Sequence, residues 1–188
     1  MASYSTNEIR GGMKVLIDHA PYAVINNEFV KPGKGQAFSR IKMRNLKTQR
    51  VVEKTYKSGE SIEKADVMDI EMSFLYREGD EWNFMNSKNY EQVNATTDIV
   101  GEAVRWIKEN DDCLVTLWND EPITVASPTF VFLKIIACEP GIKGDTVSGG
   151  SKVATLETNT EIRVPLFLNV GDVIKIDTRT AEYVSRSK

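Results

Sequence analysis

The chain has 188 residues, a formal net charge of −3, 41% hydrophobic and 27% charged residues, ordinary values for a soluble globular protein of one domain or a few small ones. No apolar run approaches the roughly 18 residues that span a bilayer, and Met1–Glu8 lacks the basic segment and apolar core of a signal peptide, so a cytoplasmic protein with no membrane contact is expected. Two cysteines, Cys113 and Cys138, lie in apolar runs, and the single histidine is His19; no CxxC or HExxH spacing occurs, so buried free thiols are expected and a metal site is not.

The small net charge hides a segregation. Residues 1–64 carry 12 Lys and Arg against 6 Asp and Glu, residues 65–127 carry 4 against 14, and residues 128–188 carry 8 against 7. A basic first third suggests a polyanionic partner, and an acidic middle argues against phosphate contact there. Solubility alone also favours acidic surfaces, but it does not explain so abrupt a change of sign.

Taken in order, residues 1–64 read as short strands with turns. Gly12–Asp18 and Pro21–Ile25 have strand composition, with His19-Ala20-Pro21 as the turn between them. Phe29–Phe38 reads as a hairpin whose tip is Pro32-Gly33-Lys34-Gly35, because proline presets one corner and glycine accepts positive φ. Lys34 stands at the apex between two glycines. Locally this fits an ordinary turn with a solubilising lysine, or a lysine presented to a partner. Ala37–Leu46 alternates, placing Ala37, Ile41, Met43 and Asn45 on a core face and Arg40, Lys42 and Arg44 on the opposite one. Val51–Tyr56 is a further strand. Together these suggest a small half-open barrel.

In residues 65–127, Ala65–Tyr76 alternates apolar and acidic residues, turns at Arg77-Glu78-Gly79-Asp80 and pairs with Glu81–Met85. Thr97–Lys108 reads as the best helix, with Ile99, Val100, Ala103, Val104 and Ile107 on one stripe. Cys113–Trp118 and Ile123–Val125 form a hairpin about Asn119–Pro122, and the whole fits an OB-type barrel. Ser127-Pro128 marks a boundary. Residues 128–188 then supply strands at Thr129–Cys138, Lys152–Leu156, Glu161–Leu168, Val173–Asp177 and Glu182–Arg186, again a small barrel, with a loop-like composition across Gly144–Lys152. The expectation is an all-β chain of three domains, 1–64, 65–127 and 128–188, joined end to end in an elongated molecule with little shared core.

No catalytic constellation emerges. The acidic middle offers carboxylates but nothing that places two in a cleft. GxSxG, Walker and GxGxxG patterns are absent, and Pro-Gly-Lys-Gly lacks the spacing, the Ser/Thr and the helix of a P-loop. The chain is expected not to be an enzyme and to need no cofactor.

Several stretches carry a resemblance. The Lys34 hairpin, preceded by Gly11-Gly12-Met13-Lys14 and Pro21-Tyr22, resembles the first domain of bacterial translation elongation factor P. Lys152-Val153-Ala154, Ile162–Asp172, Gly144-Asp145-Thr146 and Tyr183-Val184-Ser185-Arg186 are similar to that family's C-terminal part, and the resemblance covers the whole chain in order. One departure is Asn159, where the family signature has glycine; asparagine is the next-best residue for a left-handed turn, so an intact turn is expected.

The resemblance implies an SH3-like or KOW-like barrel and two OB-type barrels in an L shape that mimics tRNA. It implies a monomer that binds the ribosome beside peptidyl-tRNA, promotes peptide-bond formation and relieves stalling at consecutive prolines. In the lysine-tip branch the family's lysine is extended by a modifying enzyme, commonly with a β-lysyl group followed by hydroxylation, and here that residue is Lys34. Pro32, Gly33 and Gly35 would shape its loop, Gly144, Asp145 and Thr146 would lie near the mRNA codon of the exit site, and Tyr183 and Arg186 would join the tRNA- and ribosome-binding set. From the residues alone, Arg40, Lys42 and Arg44 are candidates for phosphate contact. Two other classes compete: a generic OB-type single-stranded RNA binder using aromatic platforms, and an enzyme using Lys34 as a Schiff-base nucleophile, for which an exposed tip is the wrong environment.

Overall fold

The computed structural model describes residues 2–138 and 150–187. Among the described residues sixteen strands form three sheets, and the all-β expectation holds. The chain divides into two compact units, Met1–Asp69 with Thr116–Thr124 and Ile70–Val115 with Val125–Lys188.

The first sheet contains β1 (Ser3–Ser5), β2 (Lys14–Ile17), β3 (Ala20–Val30), β4 (Phe38–Asn45), β5 (Val51–Lys57) and β6 (Ser61–Lys64), in the order β1-β6-β2-β3-β4-β5. Its inner face gathers Ile9, Val15, Ile17, Val24, Ile41, Met43 and Ile62. β2 and β3 join through Asp18 and His19, both at positive φ, so the tight turn lies one residue earlier than His19-Ala20-Pro21 suggests. β4 alternates as its sequence does, with Ser39, Ile41, Met43 and Asn45 buried and Arg40, Lys42 and Arg44 exposed. Asn45 is buried and closes the next turn: its Oδ1 accepts from the Lys47 and Thr48 amides, each at 2.9 Å.

The second sheet holds β7 (Val67–Glu78), β8 (Glu81–Met85), β9 (Gln92–Thr96), β10 (Asp112–Trp118) and β11 (Glu121–Ala126), in the order β11-β10-β7-β8-β9. The helix expected over Thr97–Lys108 is much shorter. α1 covers Thr97–Val100, and a 3-10 turn covers Gly101–Arg105. Gly101 sits at φ +54 and ψ −131, which no continuing helix can use, so the apolar stripe survives while the helix does not.

The third sheet holds β12 (Phe130–Cys138), β13 (Ser151–Leu156), β14 (Glu161–Pro165), β15 (Val173–Asp177) and β16 (Glu182–Arg186), in the order β14-β13-β12-β15-β16. Its core includes Leu133, Ile135, Leu156, Leu168, Ile174 and Ile176, and also Trp106, the residue that follows the 3-10 turn. That insertion corrects the expectation of little shared core. The Arg105 carbonyl, beside Trp106, accepts from Thr158 Oγ1 at 2.7 Å and Thr160 Oγ1 at 2.8 Å. Asn159 takes φ +59, the left-handed turn expected of it. Cys113 is buried and free; Cys138 is free but only half-buried, less enclosed than expected.

Candidate nucleic-acid interface

The longest paired element of the first sheet points one loop outward. β3 and β4 pair from Tyr22↔Asn45 to Val30↔Phe38, with one bulge between Val24 and Asn26. The loop between them, residues 31–37, leaves Lys31, Gly33, Lys34, Gly35 and Gln36 exposed and Pro32 half-buried. A long stem, paired on both sides of its one bulge, under a short loop holds the tip away from the core at little conformational freedom.

The two tip glycines differ. Gly35 takes φ +108, a value that L side chains rarely adopt, while a Cβ there would meet only Pro32 Cγ at 3.9 Å. Gly35 is therefore required by the backbone, not by space. Gly33 lies outside the positive-φ set and has open space around its Cβ direction, so it serves by leaving Lys34 uncovered.

The flank of the loop is cationic. Residues 29–52 contain seven Lys and Arg and no Asp or Glu. Arg40 faces Glu28 at 3.7 Å and Glu53 at 3.6 Å, which come from the neighbouring strands. Lys42 and Arg44 are exposed and form no ion pair among the described residues. Exposed pairs of the Arg40 kind are weak and readily exchanged for a phosphate. Pro32, Gly33, Lys34, Gly35, Arg40, Lys42 and Arg44 thus lie on one hairpin, as the sequence suggests.

The remaining candidates belong elsewhere. Tyr183 and Arg186 lie on β16, with Tyr183 half-buried against the core of the third sheet and Arg186 3.8 Å from Asp172. Gly144, Asp145 and Thr146 lie outside the described residues. Among the described residues no group of three or more His, Cys, Asp or Glu side chains is arranged to hold a metal, and no helix is long and apolar enough to cross a membrane.

Asn27, Phe29 and Ser39, which no sequence motif marks as functional, line an opening on the stem with Thr6, Asn7 and Arg10. The available signal was a serine, Ser39, on the inward parity of a strand whose other inward residues include Ile41 and Met43.

The comparisons follow the same architecture. Residues 5–62 match the family model described as the elongation factor P (EF-P) KOW-like domain, residues 67–125 the elongation factor P (EF-P) OB domain, and residues 131–186 elongation factor P, C-terminal. Among solved structures, the chain is similar to eukaryotic translation initiation factor 5A from Methanococcus jannaschii, with TM-score 0.56, 16% identity, 67% of this chain and 92% of that chain covered. It is also similar to a translation initiation factor eif-5a family protein from Naegleria fowleri ATCC 30863, with TM-score 0.54, 13% identity, and 66% and 97% covered. At such identities the likeness concerns the fold. The three domain matches run in order through nearly the whole sequence, and by them the chain belongs to the elongation factor P family of translation elongation factors.

Proposed function

We propose that this chain binds the ribosome beside peptidyl-tRNA and promotes peptide-bond formation, relieving stalling at consecutive prolines through a post-translationally extended Lys34. The observation that supports it most is the exposed Lys34 at the end of the long β3–β4 pairing, whose outer face carries Arg40, Lys42 and Arg44. A cationic arm on such a mount can contact the backbone at the 3′ end of a tRNA. Holding that end in a productive geometry removes part of the entropic barrier, and no side chain of this chain has to act as acid or base. Proline gains most from such positioning because its ring restricts its own approach. On this reading the chain is a positioning factor and not an enzyme, the basic strand meets RNA phosphates, and a modifying enzyme reads the open loop around Lys34.

Peptide mapping of natively expressed chain should show added mass on Lys34. In a translation assay on a template with consecutive prolines, Lys34→Ala should lose most of the rescue given by the native chain. An unmodified Lys34 together with full rescue by Lys34→Ala would overturn the proposal.

A further inference from the structure

Below the Lys34 loop, the core of the first sheet ends in polar groups. Among the described residues the buried side-chain oxygens with no hydrogen-bond partner are Asn27 Oδ1, Ser39 Oγ and Tyr56 OH. They lie together. Ser39 is opposite Phe29 on one side and Tyr56 on the other, and Asn27 is the next same-face position along β3. Asn27, Phe29 and Ser39 line a cavity of about 350 Å³ with Thr6, Asn7 and Arg10.

The hydrogen bonds around this cavity fix its chemistry. Asn27 Nδ2 donates to the Thr6 carbonyl at 2.8 Å and the Ile9 carbonyl at 3.1 Å, so the amide orientation is set and Oδ1 is left as a bare acceptor. Ser39 is 0% exposed, and its hydroxyl can donate or accept. Thr6 adds nothing, since its hydroxyl already donates to the Lys57 carbonyl and accepts from the Gly59 amide. Arg10 Nη1 is tethered to the Asn7 and Ile9 carbonyls at 3.0 and 3.1 Å, which parks the guanidinium at the rim. Phe29 is 53% exposed and offers an aromatic surface.

We propose that this cavity receives one unpaired nucleobase of the RNA held by the hairpin, an inference that rests on the RNA-facing reading above. A base supplies partners for the two oxygens that line the cavity and for its rim: an N–H for Asn27 Oδ1, a ring or carbonyl acceptor for the Ser39 hydroxyl, a π-face for Phe29 and a phosphate for Arg10; Tyr56 does not line the cavity and takes no part. A bare phosphate does not fit, because Asn27 turns an acceptor oxygen toward it. An apolar ligand leaves two buried oxygens unpaired. Any base with an N–H beside an acceptor meets these demands, so the site tolerates sequence. Phe29 and Ser39 form the second rung beneath the loop, on the face opposite Arg40, Lys42 and Arg44, so the base comes from a nucleotide that rounds the tip at Lys34 and not from the segment lying along those cations.

The test is an NMR titration of the full isotope-labelled chain, without ribosomes, against cytidine and adenosine 5′-monophosphates, with ribose 5-phosphate as the base-free control. The nucleotides should shift the Asn27 side-chain amide, Phe29 and Ser39 saturably, and ribose 5-phosphate should not. Ser39→Ala, which removes a hydroxyl without a protein partner, should fold at least as well and bind roughly tenfold more weakly; Phe29→Ala, on an exposed side chain, should lose about 5-fold or more. Equal shifts from ribose 5-phosphate, no saturable shift from either nucleotide (a site filled by ordered water), or unchanged affinity in both variants would overturn the inference. Lys34→Ala should leave nucleotide binding intact, so loss of proline rescue in that variant reports on the proposed function and not on this cavity.

Discussion

Gly35 and Gly33 flank the same lysine, and the structure assigns them different costs. At Gly35 an L residue must be held at φ +108 or the loop must abandon that conformation. Its Cβ would touch only Pro32 Cγ at an ordinary 3.9 Å, so the penalty is backbone strain of about 1–2 kcal/mol, without a packing contribution. The loop is exposed, and a Gly35→Ala chain escapes the strain by leaving its native loop state. The competent conformation then falls in population by about 5- to 30-fold, and any process that needs it weakens by the same factor. Global stability should hardly change, because the stem's hydrogen bonds are untouched. Gly33→Ala meets open space at no positive φ and should stay within about 2-fold of the parent. The assay is proline-stall rescue by the purified, natively expressed chains, with the midpoint of thermal unfolding measured alongside. Asparagine at position 35 should not rescue, since φ +108 lies beyond the left-handed well that asparagine favours. Parent-level rescue by Gly35→Ala, or equal damage from Gly33→Ala, would refute the argument.

Three further outcomes are expected. Trp106→Ala should destabilise the unit holding the third sheet by about 3–5 kcal/mol, since the indole is 3% exposed in that core, and Trp106→Phe by less; calorimetry of both variants checks this, and a loss under about 1 kcal/mol would deny Trp106 its place there. Burial, with Asp111 and Asp112 nearby, pushes the Cys113 thiol up to about 12, so at pH 8 a thiol reagent should label half-buried Cys138 first, and Cys113 should react only on unfolding. Hydrogen bonding from Arg179 holds the Asp177 carboxyl down to about 2. Because the folded value lies below the unfolded one, its contribution is present above the ordinary carboxylate range and is lost as pH falls toward 2. Arg179→Ala should return the Asp177 titration, followed by carboxyl NMR, toward about 3.9.

What the sequence made legible was local. The Arg40–Arg44 alternation declares its two faces because strand side chains alternate strictly, and Pro32–Gly35 declares a turn because its residues have narrow backbone preferences. Asn159 was legible for the same reason. What stayed hidden was long-range. β1 and β6 pair Ser3 with Glu63 and Ser5 with Ser61, and neither segment has a pattern that announces a partner so distant in sequence. The apolar stripe over residues 99–107 marks which residues are buried but not the helix type. Val100, Ala103 and Ile107 are buried as expected, yet Trp106, off that stripe, enters the core, because the chain tightens after Gly101 and turns a different face inward. The pairing of Arg40 with Glu28 and Glu53 was equally invisible, since it depends on strand register.

That register refines the meaning of the basic first third. Lys14 is spent on Asp69, Lys54 on Asp18, and Arg40 is shared between two glutamates. Among the nine Lys and Arg of residues 1–64 that form no ion pair among the described residues, Lys31, Lys34, Lys42 and Arg44 belong to one hairpin and its loop. An RNA backbone approaching this hairpin therefore meets unpaired charge along β4 and at the tip. Arg40 stands between them with its charge partly balanced. Such an arrangement favours a strand that runs along the hairpin and ends at Lys34 over one that crosses it, because the contacts lie in a line parallel to the stem. On the proposed RNA contact the glutamates would act on orientation more than on affinity, as a phosphate placed over Glu28 or Glu53 is repelled while one displaced along β4 is not.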